Sequence, residues 1–167
     1  SGDIIARDYI EIDQNTKVTQ CWEWLRQRTP SLFLEAINKL GDDPEYIMER
    51  QSIDPAKGLR CYPRRPEDGR IDWGQSAEQI LRLINASNKP YAGAHCKYKD
   101  DKMIIWDAKI APDMGPICAV PGQVLRVESE YVDISTADGS LRVINVQVGG
   151  QVGSPANWIS STRSRLT

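Results

Sequence analysis

Four kinds of side chain in this 167-residue sequence could carry chemistry: four cysteines, one histidine, a pair of adjacent arginines, and aromatics at strand spacing. Cys21, Cys61, Cys96 and Cys118 lie tens of residues apart with no C-x-x-C. They read as free thiols in a reducing compartment, so a cytoplasmic location is expected. His95 is the sole imidazole, which rules out a His pair or a His-rich metal site within these residues. It opens a strand-like stretch and is expected to be a half-buried strand residue. No catalytic residue and no metal site are assigned within the chain, so its chemistry must lean on carboxylates or lie elsewhere. The candidate substrate-binding residues are Arg64, Arg65, Tyr91 and Trp106. Adjacent guanidiniums in a Pro-bounded stretch offer forked donors to a phosphate or carboxylate, although they can equally form a solvated cluster with Glu67 and Asp68. Tyr91 and Trp106, with Tyr131, could supply stacking faces, and core packing is the competing reading.

The composition narrows the field. There are 21 Lys+Arg against 23 Asp+Glu, a net charge of -2, which excludes a uniformly basic nucleic-acid binder. No apolar run approaches the ~18 residues of a membrane helix, so a soluble protein is expected. A chain of this length can bury roughly 70% of its unfolded surface and needs no disulfide or metal to hold it.

The elements that must position these residues fall into two groups. Ile4, Ala6, Ile10 and Ile12 alternate with Arg7, Tyr9 and Glu11, which predicts a half-buried strand over Asp3 to Ile12, interrupted only by Asp8. Asp13 to Thr16 read as turn and capping residues. Val18, Cys21, Trp22 and Leu25, then Leu32, Ala36, Ile37 and Leu40, predict a helix kinked at Pro30, or two abutting helices, stopped by Gly41. A strand and a helix with so wide an apolar face resemble the tail of an α/β unit, so the rest of such a domain is expected before Ser1. Residues 41–70 read as a connector in which Tyr46, Ile47, Met48, Cys61 and Tyr62 are expected to pack onto something. Asp72 to Asn88 predict a helix with a capping box at Ser76-Ala77-Glu78-Gln79, and Asp72 is a candidate cap. Trp73 is expected to wedge two domains together. Short strands follow at His95 to Tyr98, Met103 to Ile110, Gln123 to Glu128, Tyr131 to Thr136 and Leu141 to Val148, with Ala137-Asp138-Gly139 as a tight turn. About five antiparallel strands of that length commonly close to hide their edges. The fold class is therefore α+β: a strand and helix from a Rossmann-like domain, then a small antiparallel open β-barrel, OB-like, with one packed helix. The last stretch, from Ser154, is expected to dock as a turn of helix, and Gly149-Gly150 lacks the context of a phosphate loop.

Arg65-Pro66-Glu67-Asp68-Gly69-Arg70-Ile71-Asp72-Trp73, ILRLINA at Ile80 to Ala86, Pro90-Tyr91-Ala92-Gly93-Ala94 and Pro121-Gly122-Gln123-Val124 occur in that order. Together they resemble the linker and C-terminal domain of the tetrahydrofolate-dependent formyltransferases. That family includes methionyl-tRNA formyltransferase, the sugar-nucleotide N-formyltransferases and the hydrolase domain of formyltetrahydrofolate dehydrogenase. Ser1-Gly2-Asp3-Ile4-Ile5 resembles the family's Asp-x-Gly-Asp-Ile segment. The resemblance implies domain boundaries at 1–40 (end of the Rossmann-like domain), 41–70 (linker) and 71–167 (C-terminal domain). It also implies N10-formyltetrahydrofolate as cofactor and formyl transfer to a primary amine by an Asn, a His and an Asp. All three would lie upstream, the Asp immediately before Ser1, so the chain is expected to be inactive alone. The implied partner is the N-terminal catalytic half, in the same gene product or a separate chain, and a homodimer is possible.

Charge guides the choice of acceptor. From Ile84 to Thr167 nine basic residues face eight acidic ones. A transfer-RNA substrate needs a positive surface, so this near balance favours a small-molecule amine such as a nucleotide-linked amino sugar, with methionyl-tRNA as the alternative. A barrel that binds a ligand or partner without catalysis is the third reading.

Overall fold

The computed structural model describes residues 2–167; Ser1, with which the Ser1-Gly2-Asp3 resemblance begins, lies outside the described residues. The chain divides into two compact units, one of Ser1–Glu11 with Gln20–Arg64 and one of Ile12–Thr19 with Arg65–Thr167.

The first unit is built on α1 (Val18–Asp42), whose first two residues group with the second unit. It is one continuous helix with Pro30 inside it, not two abutting ones. Proline lacks an N–H, so the Arg26 carbonyl loses its helical donor there. No residue of α1 is buried, and Phe33, Leu34 and Ile37 stand about half exposed or more. The strand expected over Asp3 to Ile12 does not form. Only Ile4 pairs, in a single bridge to Glu49, and Ile12 is 66% exposed. A strand needs a neighbour to take its alternate N–H and C=O groups, and alternation of side chains does not supply one. Asp8, the residue that breaks the alternation, ion-pairs with Arg28, which also holds Glu35 at 2.9 Å and donates to Ser31 Oγ at 2.6 Å. The Arg28 bond keeps the Asp8 carboxyl below its ordinary range. In the connector, Cys61 and Tyr62 are exposed, contrary to expectation, while Tyr46 has the Lys39 ammonium 4.6 Å over its ring and Met48 N donates to Ile4 O at 2.9 Å.

The second unit is an α+β structure around a six-stranded antiparallel sheet. Its strands are β1 (Ala94–Tyr98), β2 (Asp101–Ile110), β3 (Val124–Val127), β4 (Val132–Ser135), β5 (Ser140–Val148) and β6 (Gln151–Gly153). The order is β1-β2-β5-β4-β3, with β6 paired to β5. β6 escapes the sequence reading because three residues carry no periodicity. Gly149 and Gly150, both at positive φ, make the turn into it.

Helix α2 (Ala77–Ala86) packs on β2 and β5 through Ile80, Leu81 and Ile84, each at most 2% exposed. Burying each contributes about 1.5–3 kcal/mol. It starts later than the expected Asp72. Ser76 is the cap, its Oγ accepting from Gln79 N while Gln79 Oε1 accepts from Ser76 N, both at 3.1 Å. Asp72 instead accepts from Gly74 N, and Asp138, in the turn before β5, accepts from Ala77 N at 2.9 Å. Trp73 is 4% exposed and belongs to this unit's core.

The two outer strands are joined through the C-terminal residues. Lys97 and Thr167 exchange backbone bonds of 2.6 and 3.0 Å, while Leu166 N donates to Gly122 O at 2.9 Å and Val124 N to Ser164 O at 3.0 Å. Leu166 is thereby buried to 1%. The stretch after Ser154 does make a short 3-10 turn, Pro155–Asn157, followed by Ile159 in the core and a second turn closed by Ser164 N on Ser161 O at 3.1 Å. All four cysteines are free thiols, and burial pushes that of Cys96 up to about 12.

Candidate functional site

Trp106 owes its setting to an irregularity of β2. Ile105 pairs with Val146 and Asp107 with Asn145, so Trp106 has no opposite residue and occupies a bulge. Bulges re-aim a side chain out of the regular pleat. The indole Nε1 donates to Gln147 Oε1 at 3.0 Å, and the Lys89 ammonium stands 5.4 Å over the ring. Such a cation over an aromatic face is worth about 0.5–1 kcal/mol at an exposed site.

The segment carrying Lys89 is held to β2 by hydrogen bonds. Asn88 Nδ2 donates to Trp106 O at 2.7 Å, Asn88 Oδ1 accepts from Lys89 N at 3.0 Å, and Thr19 Oγ1 donates to Lys89 O at 2.6 Å. The Lys89-Pro90 bond is cis. Gly93, at φ +82, closes the segment with its N–H on Ser87 O, and a Cβ there would overlap Ile104 Cγ2 and press on the Trp106 ring. Tyr91 lies between these ties, 51% exposed. The fold therefore gathers Trp106, Lys89 and the Tyr91 segment on one patch.

The arginines are placed differently. The division between the two units falls between Arg64 and Arg65. Arg65 leads into the 3-10 turn Pro66–Gly69, its backbone N–H donating to Asp68 Oδ2 at 2.7 Å, and both arginine side chains are exposed. Tyr131 has the Arg142 guanidinium 3.7 Å over its ring, so that face is already taken. Lys89, Asn88 and Gln147 were missed by the sequence reading. The neighbouring Pro90-Tyr91-Ala92-Gly93-Ala94 motif could have flagged the first two. Gln147 has no sequence signal, because its approach to Trp106 depends on cross-strand register. Among the described residues no group of three or more His, Cys, Asp or Glu could hold a metal ion.

His95 is the expected half-buried residue of β1, and its Nδ1 is buried without a partner. Desolvation first, then the nearby Lys102, lowers its pKa from 6.5. The unfolded chain therefore takes up this proton before the folded one does, and stability falls as pH drops below about 6.5 towards the folded value. His95→Gln is expected to flatten that part of the profile. Thermal melts between about pH 7.5 and 5.5 check this, and equal slopes for parent and variant would show that His95 does not contribute.

Residues 64–163 match the family model described as formyl transferase, C-terminal domain. Among solved structures, HypX from Aquifex aeolicus in complex with tetrahydrofolic acid is 20% identical, with a TM-score of 0.63 over 89% of this chain and 25% of that one. A multiply substituted HypX variant gives 21% identity and a TM-score of 0.62, covering 87% and 25%. The chain thus spans about a quarter of the solved proteins it matches, and at this identity the likeness establishes the fold. No helix among the described residues is long and apolar enough to cross a membrane.

Proposed function

Because this chain belongs to the formyl transferase family through its C-terminal domain, we propose that it is the C-terminal part of a folate-dependent N-formyltransferase. The observation that carries the reading is the family match over residues 64–163, which spans the four ordered sequence motifs. Residues 1–40 are read as the tail of a Rossmann-like catalytic domain, residues 41–70 as a linker, and residues 71–167 as the C-terminal domain. The hydrogen bonds that join β1 and β3 through residues 164–167 favour an OB-like barrel. The formyl donor is N10-formyltetrahydrofolate, consistent with the tetrahydrofolic acid bound by HypX. In the reaction the amine nitrogen attacks the formyl carbon, the C–N10 bond breaks, and the amine proton passes to N10. This chain's part is to support and to bind: in the second unit the Trp106–Lys89 pair, the Tyr91 segment and Arg65 are proposed to meet the acceptor, and in the first unit Arg64.

The preferred acceptor is a nucleotide-linked amino sugar, because nine basic residues against eight acidic ones from Ile84 to Thr167 leave that stretch close to neutral. Methionyl-tRNA is the second reading, favoured by Lys97 and Lys102, which stand directly opposite each other on β1 and β2 and are both exposed. The test is to incubate the full natural protein with N10-formyltetrahydrofolate and each acceptor in turn, and to weigh the products by mass spectrometry. A formylated amino-sugar nucleotide upholds the first reading. Formylated methionyl-tRNA, with binding that weakens steeply in salt, replaces it with the second. No product with either acceptor leaves a non-catalytic binding domain.

A further inference from the structure

A cleft of about 530 Å³ opens in the second unit between residues 70–74, Pro121 and the C-terminal residues 165–167. Its lining carries two guanidiniums. Arg70 and Arg165 line it from elements far apart in sequence, both exposed. Arg165 Nε donates to Pro121 O at 3.1 Å, which fixes the plane of that guanidinium beside the cleft. Trp73 lines it too, 4% exposed, and its indole Nε1 is buried with no acceptor. Leaving such a donor unpaired costs about 1–3 kcal/mol. The one anionic side chain in the lining is Asp72, and its Oδ1 already accepts from Gly74 N at 2.9 Å. Pro121 and Leu166 make part of the wall apolar.

We infer that this cleft binds a small organic anion, a carboxylate or phosphate monoester, held by Arg70 and Arg165 with its apolar body against Pro121 and Leu166. Two guanidiniums that form no ion pair among the described residues suit an oxyanion, and the volume lies within the roughly 300–1,000 Å³ typical of small-molecule sites. A bare inorganic ion would leave the apolar wall uncovered. The inference stands on the cleft alone, whichever acceptor the protein uses.

The test is a titration of the 15N-labelled chain with phenyl phosphate, with benzoate and with phenol, following the Trp73 indole and Gly74 amide resonances. Saturable shifts are expected with one or both anions and not with phenol, and the stronger anion identifies the headgroup. Arg70→Gln is expected to weaken binding by about tenfold or more, and Arg165→Lys, which keeps the charge but loses the fork, by less. Arg126→Gln, on β3, serves as the control and leaves binding unchanged. Shifts that fail to saturate, equal shifts with phenol, or an Arg70→Gln affinity equal to the parent's would each overturn the assignment. All three variants change exposed side chains, so dispersed spectra confirm that a loss of binding is not a loss of fold.

Discussion

Gly122→Ala is expected to destabilise the sheet-bearing unit by about 3 kcal/mol, while Gly139→Ala changes it by less than about 1 kcal/mol. Gly122 sits at φ +84, where an L side chain is strained, and a Cβ there would fall onto the Leu166 carbonyl oxygen. That contact is with backbone and cannot be relieved by turning a side chain. Gly122 N donates to Ser135 O and Gly122 O accepts from Leu166 N, both at 2.9 Å, so shifting it disturbs the closure between β3 and the C-terminal residues. Gly139 has nothing within 4 Å of its would-be Cβ. The readout is twofold: denaturant melts give the loss of stability, and amide exchange at Lys97, whose N–H is held by Thr167 O, is expected to speed up with it. A Gly122→Ala protein as stable as its parent, with Lys97 still protected, would mean that the closure is not what holds the outer strands.

The second large effect is expected at Asp133. This carboxylate is fully buried, and the guanidinium of Arg142 grips it with Nε on Oδ1 at 2.8 Å and Nη2 on Oδ2 at 2.9 Å. The two are cross-strand partners on β4 and β5, and Tyr131 covers the guanidinium. The Asp133 bond holds the Arg142 pKa above its ordinary value, so the arginine stays charged. Asp133→Ala leaves that charge at 14% exposure without its counter-ion and is expected to cost about 3–5 kcal/mol. Replacing both, Asp133→Val with Arg142→Leu, removes the orphaned charge as well and is expected to restore most of the loss, since a buried pair returns little beyond its own desolvation cost. A double-mutant cycle measured by thermal melts decides it: purely additive losses would show that the two residues are not coupled.

These two sites mark how far the sequence could be read. The Pro121-Gly122-Gln123-Val124 motif was visible as a string, and so was the alternation that makes residues 132–135 a strand. That Gly122 is needed because Leu166 passes against it could not be seen, since the two lie far apart along the chain. Asp133 carried no signal of burial in the sequence. An aspartate in a strand is ordinarily turned to solvent, and here register sets it opposite Arg142, which makes burial tolerable. Likewise Trp106 was legible as an aromatic in a strand, yet its company of Lys89, Asn88 and Gln147 follows from a bulge between Ile105 and Asp107. The opening segment shows the opposite failure: alternation over Ile4 to Ile12 was present, and no strand formed beyond the bridge to Glu49.

What the sequence determined by itself was local or carried by family motifs. Ser76 and Gln79 specify the start of α2, Ala137-Asp138-Gly139 specify the turn between β4 and β5, the strand patterns specify five of the strands, and the ordered motifs from Arg65 to Val124 specify the family domain. Caps, turns and periodicity act over a few residues, so their energetics can be read along the chain. Only the tertiary structure decided which strands pair, that residues 164–167 join β1 to β3, that Asp133 is buried with Arg142, and that Arg70, Trp73 and Arg165 share one cleft. Most of these join residues distant in sequence, and even Asp133 and Arg142, on neighbouring strands, meet only through the register of the whole sheet, in which each pairing is stable only because the others form.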